Sequence, residues 1–183
     1  MIINIRGCNG SGKSTIVRKL LMGGLDSEKL YGVCGPKFPE AYRLDYVQVK
    51  RPIFVLGSYL VGVGGCDRIG SAELVQQLVH KYAAQGHVLF EGLIISDYYG
   101  KLCTSLEPFG KEVVIIFLTT PFEVCLDRLH ARQAASSGRG EKNVRHHYDA
   151  NLAVCKRMKA DGRFQVLELA SEEVEGAILR LLK

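Results

Sequence analysis

Residues 1–15 read MIINIRGCNGSGKST. Residues 1–6 (MIINIR) suit a short buried strand, and Gly7 to Ser14 fit the pattern G-x-x-x-x-G-K-[S/T]. From Gly12 to Met22 the residues suit a helix that starts inside the glycine-rich stretch. Strand, loop and helix in this order give the pattern its physical meaning. The glycines let backbone N–H groups turn inward and cradle phosphate oxygens. The helix adds the positive end of its dipole. Lys13 is placed to reach the β- and γ-phosphates, and the Ser14 hydroxyl to ligate Mg²⁺. The expected ligands are ATP and Mg²⁺, with ATP held by Gly7, Asn9, Gly10, Ser11, Gly12, Lys13, Ser14 and Thr15. The stretch leaves open what receives the phosphate.

Outward from this start, apolar runs alternate with helical patterns, which argues for an α/β fold on a parallel sheet. A second strand is expected near Leu30 to Cys34. Pro36 to Pro52 (PKFPEAYRLDYVQVKRP) reads as an irregular excursion with one strand at Tyr46 to Val49. Ile53 to Leu56 fits a strand or a buried helix equally well. Leu74, Val75, Leu78, Val79 and Tyr82 share one helical face, and Gly86 ends that helix. HVLFEG then reads as a buried strand ending in Glu91. Val113 to Leu118 (VVIIFL) is expected to be a central strand. Pro121 opens a helix whose apolar face is Phe122, Cys125, Leu126 and Leu129. Gln133 to Asn143 is small and polar and suits a flexible segment. A helix from about Val144 to Lys159, a strand from Phe164 to Leu169 and a helix capped by Ser171 complete the chain.

With 183 residues and no linker or repeat, one domain spanning 1–183 is expected. A composition of 47% hydrophobic and 23% charged residues suits a soluble globular protein. No run is long and apolar enough for a membrane span, and the N-terminus lacks the charged region and cleavage pattern of a signal peptide. The six cysteines are scattered, with no C-x-x-C pair, which points to reduced thiols in a cytosolic protein. A net charge of +5 suits any enzyme of polyphosphates and does not by itself demand nucleic acid.

Four further groups carry candidate chemistry. Glu91 ends an apolar strand, where ligands of open α/β sheets gather, and can hold Mg²⁺ through water. In GGCDRIGSAE (64–73), Asp67 could accept a proton from a hydroxyl nucleophile, and Arg68 could hold a substrate phosphate. An equally good reading makes Asp67 a helix cap and Arg68 a solvated side chain. Arg128 and Arg132 share a helix face, with Arg139 and Arg145 beyond. Such arginines neutralise charge on a transferred phosphoryl group; each one alone is better read as part of a solvated basic helix, and the group beside the small-residue segment favours function. The five histidines show no metal-ligand spacing.

The order of these parts resembles the P-loop nucleotide kinases, thymidylate kinase in particular. The matching pieces are Gly7 to Ser14, CDRI at 66–69, GHVLFEG at 86–92 and TPFEVCLDRLHAR at 120–132. The resemblance implies a three-layer P-loop kinase fold with a short arginine-bearing lid at about 133–143. It places Arg68 against the acceptor nucleotide, Glu91 near the metal, and Arg128, Arg132 and Arg139 in the lid. On this reading Lys13, Asp67, Glu91, Arg128 and Arg132 form the catalytic set. Three departures stand out. Arg6 and Asn9 replace the family's acids, GPKFPEAYR at 35–43 replaces R-E-P-G, and Glu91-Gly92 replaces Asp-Arg.

With these departures the chain is similar to the bacteriophage 5-hydroxymethyluracil DNA kinases. That resemblance implies transfer from ATP to the hydroxymethyl group of 5-hydroxymethyl-deoxyuridine within DNA, a step in base hypermodification, in the host cytoplasm. A nucleotide inside DNA has no free 3′-hydroxyl to grip, so an acid for that contact is not needed. The implied substrate side includes Lys37, Tyr42, Arg43 and Arg68. A base in a duplex would have to be flipped and stacked, for which Phe38, Tyr42, Tyr46, Tyr98 and Tyr99 are available. Lys37, Arg43, Lys50 and Arg51 could track the DNA backbone. Packing on the sheet is the competing role for the aromatics. Two other functions stay open: a kinase of a free nucleoside monophosphate or other small molecule, and a nucleotide-hydrolysing switch.

Overall fold

The structure, a computed structural model, describes residues 1–60, 64–92, 99–133 and 141–183. Its centre is a seven-stranded sheet in the order β2-β3-β4-β5-β1-β6-β7. The strands are β1 (Ile2–Arg6), β2 (Asp26–Leu30), β3 (Ala41–Asp45), β4 (Ile53–Leu56), β5 (His87–Glu91), β6 (Val113–Leu118) and β7 (Gln165–Leu169). β4, β5, β1, β6 and β7 run parallel. The fully apolar runs of β4 and β6 follow from this, because a parallel sheet covered on both faces has no solvent side to pattern.

The helices are α1 (Lys13–Gly23), α2 (Ala72–Ala83), α3 (Gly100–Leu106), α4 (Phe122–Gln133), α5 (Glu141–Asp161) and α6 (Val174–Leu181). They cover both faces. Ile3 and Ile5 of β1 pack in one apolar cluster with Ile16, Val17 and Leu20 of α1 and Val174 and Ile178 of α6. Ile2 points the other way, into a cluster with Val75, Leu78 and Val79 of α2 and Cys155 and Met158 of α5. At about 25 cal/mol per Å², these two clusters are the main favourable term holding helices to sheet. Among the described residues no helix is long and apolar enough to cross a membrane.

The sheet is not parallel throughout. β2 and β3 form an antiparallel extension, β2 pairing with β3 and β3 with β4. The expected strand at Leu30 to Cys34 lies instead at Asp26–Leu30, and the one at Tyr46 to Val49 lies at Ala41–Asp45. At the latter place the chain turns, with the Val49 amide donating to the Tyr46 carbonyl at 3.1 Å. β2 escapes a hydrophobicity reading because its residues, DSEKL, are mostly exposed at the sheet edge. Ile53 to Leu56 is a strand, with all four residues buried. Ser171 does not cap α6. The helix starts at Val174, and the Ala170 amide donates to Glu173 Oε2 at 2.9 Å, so the turn is closed by the acid.

β1 lies between β5 and β6, and β4 and β7 extend the parallel part in opposite directions. Such a reversal of strand order opens a crevice at the carboxyl ends, here at the end of β1. The glycine loop, Gly7 to Gly12, leaves β1 at that point.

Candidate active site

The loop is braced from three sides. Gly10 has a φ of +81°, and a Cβ there would stand 2.3 Å from the Cys125 carbonyl oxygen, so only glycine lets the loop lie on α4. Thr120 Oγ1 donates to the Ser11 carbonyl at 2.9 Å, and Arg128 Nη1 donates to the Gly10 carbonyl at 3.2 Å. Inside the turn, Lys13 Nζ donates to the carbonyls of Gly7 at 2.6 Å and Cys8 at 3.0 Å. The N-terminus of α1 has no side-chain cap and no acid in its first turn. A helix start of this kind offers N–H groups and positive potential to an anion.

From the neighbouring strand comes Glu91, buried, at the end of β5. Its Oε1 accepts from the Ser14 hydroxyl at 2.8 Å. Burial pushes the carboxyl above the ordinary range. Lys13 and the Ser14 hydrogen bond pull it back, and nearby Asp67 adds to the rise. Gly65 (φ +76°) makes the approach possible, because a Cβ there would stand 2.5 Å from Glu91 Oε1. The turn Cys66–Arg68 thereby lies against the end of β5, and a Cβ on Gly92 would be 3.0 Å from Asp67 Oδ1. Two acids from different elements share one space.

Asp67 does not have the helix-cap role at α2. Ser71 takes it, accepting from the Leu74 amide at 3.2 Å. Behind the acids sits Tyr59, whose phenol is pushed up by burial and then by the charge of Glu91. Its backbone amide donates to Tyr42 Oη at 3.1 Å.

The donor set fits the two expected ligands. A hydroxyl and a carboxylate are hard oxygen donors of the kind Mg²⁺ takes, and one or two protein oxygens suffice where phosphates supply the rest. The glycine loop, Lys13 and the start of α1 suit a polyphosphate.

No protein-family model matches the chain. A 5-hmdU DNA kinase of Pseudomonas phage PaMx11 is 35% identical over 187 residues, covering 100% of this chain and 97% of that protein. The chain belongs to the 5-hmdU DNA kinase family. A second member, from Pseudomonas phage M6, is 33% identical over 138 residues, 71% of each chain. A 5-hmdU DNA kinase of Bacillus phage SP10 is 27% identical over 72% of this chain but only 21% of its own length.

Within this family member, the residues expected from sequence do not all meet. Asn9, Ser11, Lys13, Ser14, Glu91, Asp67 and Arg128 converge on the carboxyl ends of β1 and β5. Thr15 follows, exposed, on the first turn of α1, and Arg132 is exposed one turn beyond Arg128. Arg68 and Lys37 are exposed at the same end of the sheet, on the turn after β4 and the loop before β3. Arg139 and most of the lid segment, as well as Tyr98, lie outside the described residues.

The remaining substrate candidates sit elsewhere. Tyr42 is buried in the core and supports Tyr59, so its ring is not an open platform. Tyr46 is also buried, and its hydroxyl donates to the Leu20 carbonyl at 2.5 Å. Arg157 covers the ring of Tyr99 at 3.8 Å, and the Tyr99 hydroxyl donates to Asp161. Arg43 is exposed in mid-strand, 3.6 Å from Asp45. Arg51 lies near the Met1 amino group and His87, at the opposite end of the strands from the glycine loop, and takes Lys50 with it. Sequence reading missed Thr120, Tyr59 and Glu40. Of these only Thr120 left a signal, standing between a strand end and a helix-opening proline.

Proposed function

We propose that the protein is a single-domain kinase that transfers the γ-phosphate of ATP, with Mg²⁺, to the hydroxymethyl group of 5-hydroxymethyl-deoxyuridine in DNA. The observation that carries this reading is the convergence of Ser14, Glu91 and Asp67 beside the glycine loop, in a chain whose full-length relative is named a 5-hmdU DNA kinase. The same reading makes the reaction a step in thymine-base hypermodification, carried out in the cytoplasm of the infected host.

Each residue has a task. The loop amides and Lys13 bind the phosphates, and Lys13 would leave the Gly7 and Cys8 carbonyls to do so. Ser14 and Glu91 would hold Mg²⁺, which supplies charge neutralisation across the β- and γ-phosphates. Asp67 is half-buried, precedes Arg68 and shares the end of β5 with Glu91, which accepts from Ser14. Asp67 therefore takes the proton of the hydroxymethyl group as its oxygen bonds to the γ-phosphorus. The bond to the β–γ bridging oxygen breaks, and ADP leaves with that electron pair. Arg128, held near Gly10, neutralises charge on the transferred group, with Arg132 and Arg139 joining from the lid. Arg68 and Lys37 bind DNA phosphates at the mouth.

The test is acceptor competition. Purified protein with γ-labelled ATP and Mg²⁺ is offered 5-hydroxymethyluracil DNA, ordinary DNA or dTMP. Label is expected on the modified DNA alone. Transfer to dTMP alone would replace this reading with a free-nucleotide kinase, and release of phosphate without an acceptor would replace it with a hydrolase.

A further inference from the structure

The loop between β2 and β3, residues 31–40, opens at the same end of the sheet as the glycine loop, because its return strand β3 starts opposite the end of β4. It contains no regular element, yet one side chain pins it. Glu40 is fully buried. Its Oε2 accepts from the Val33 amide at 2.7 Å. Its Oε1 accepts from Lys81 Nζ at 2.5 Å and from the Tyr82 hydroxyl at 2.6 Å, both on α2. Its own amide donates to the Leu30 carbonyl, and its carbonyl accepts from Gly57, each at 2.8 Å. A buried carboxylate is tolerated only when donors satisfy it, and here they come from the loop and α2, while the backbone bonds reach the ends of β2 and β4.

What this anchor holds in place is Phe38, two residues earlier. Its ring is half-buried and lies under the Arg68 guanidinium, 5.1 Å from the ring centroid. Arg68 directly follows Asp67. A flat apolar ring, a planar cation and a carboxylate thus stand side by side at the mouth of the site. Tyr42, Tyr46 and Tyr99 are each tied through their hydroxyls to other parts of the fold, as described above.

We infer that Phe38 and Arg68 form the platform on which the target pyrimidine of the DNA is seated, and that Glu40 is the positioning residue that fixes this platform. The inference rests on the acceptor being a base within DNA. Arg68 covers the ring in the structure, so the exposed arginine swings to the flanking phosphate as the pyrimidine face takes its place on Phe38, a stack that needs no hydrogen bonds. Arg68 directly follows Asp67, so the platform adjoins the residue proposed to take the hydroxymethyl proton.

The experiment measures binding and kinetics together. Anisotropy of a labelled oligonucleotide containing 5-hydroxymethyl-deoxyuridine gives affinity without ATP, and steady-state rates give separate KM values for DNA and ATP. Phe38→Ala is expected to weaken DNA binding and raise the DNA KM by about 5- to 100-fold, the scale of one lost base–aromatic stack. The ATP KM should stay within about twofold, and Phe38→Trp should restore DNA binding. Glu40→Gln should raise the DNA KM in the same selective way. An unchanged DNA affinity in Phe38→Ala overturns the platform, as does an equal rise in both KM values. If the wild-type protein binds the oligonucleotide but transfers no phosphate, the kinase reading fails. The platform is then decided by the binding of Phe38→Ala alone.

Discussion

The Ser14 hydroxyl donates to Glu91 Oε1 at 2.8 Å, joining the first turn of α1 to the end of β5. The two residues are 77 positions apart in sequence. They meet because β1 and β5 are adjacent parallel strands, with Ile5 in register with Glu91. The meeting of these two side chains therefore follows from strand order.

Removing the hydroxyl should separate metal affinity from fold. Ser14→Ala is expected to raise the Mg²⁺ concentration for half-maximal rate by about 10- to 100-fold, as groups around a metal do. Titration of the rate against Mg²⁺ checks this, and thermal unfolding should be little changed.

Glu91 should show a trade between stability and activity. Burial raises its carboxyl above the unfolded value of about 4.3, so its ionised form opposes folding. The sign follows: its destabilising effect is full above the raised folded value. It fades as pH falls through that value and is gone below about 4.3. In the proposed reaction Glu91 works as a carboxylate, so Glu91→Gln should remove most of the rate. At neutral pH it should raise Tm by a few degrees, at about 2–4 °C per kcal/mol.

Asp67 and Ser71 should divide cleanly. Asp67→Asn is expected to lower kcat by about 10²- to 10⁴-fold with little change in Tm. Ser71→Ala removes the cap of α2 and should cost about 1 kcal/mol of stability while leaving kcat nearly intact. Paired kinetics and calorimetry decide this, and an active Asp67→Asn would remove Asp67 as the proton acceptor.

Glu40 should control stability in acid. The hydrogen bonds from Lys81, Tyr82 and Val33 outweigh its burial and hold its carboxyl below the ordinary range. Its stabilising effect is therefore full above the unfolded value of about 4.3 and is lost as pH falls through the lower folded value. Glu40→Ala leaves the Tyr82 hydroxyl and the Val33 amide without their acceptor. It should cost about 2–4 kcal/mol at neutral pH and less in acid, read from urea unfolding at several pH values.

Gly10→Ala tests the loop brace. Its Cβ would meet the Cys125 carbonyl at 2.3 Å, at a φ that side chains avoid, so the loop must move off α4. Nucleotide affinity should fall by about tenfold or more, about 1.4 kcal/mol, in equilibrium ATP binding.

The buried strands β1, β5 and β6 and the helices α1, α2, α4 and α5 were legible because their patterns are local, whereas β4 fitted strand or helix equally and α3 was not foreseen. VVIIFL can only be a covered strand or a core helix, and six residues are too few for the latter. The glycine loop was legible for the same reason, since its strand and helix adjoin it. The antiparallel β2 was not, because an exposed edge strand carries no apolar alternation. That Asp67 does not cap α2 was not legible either, because the cap is Ser71, four residues on. Glu40 was invisible as an anchor, since its partners Lys81 and Tyr82 lie 41 and 42 residues away. Lys50 and Arg51 read as basic residues near the site, yet the turn before β4 carries them to the far end of the strands.

The most direct test is the fate of the γ-phosphate. With γ-labelled ATP, Mg²⁺ and DNA carrying 5-hydroxymethyl-deoxyuridine, label should appear on the hydroxymethyl oxygen of the base, recovered after digestion to single nucleosides. Ordinary DNA and dTMP should stay unlabelled. Label on dTMP, with none on the modified base, would contradict the account.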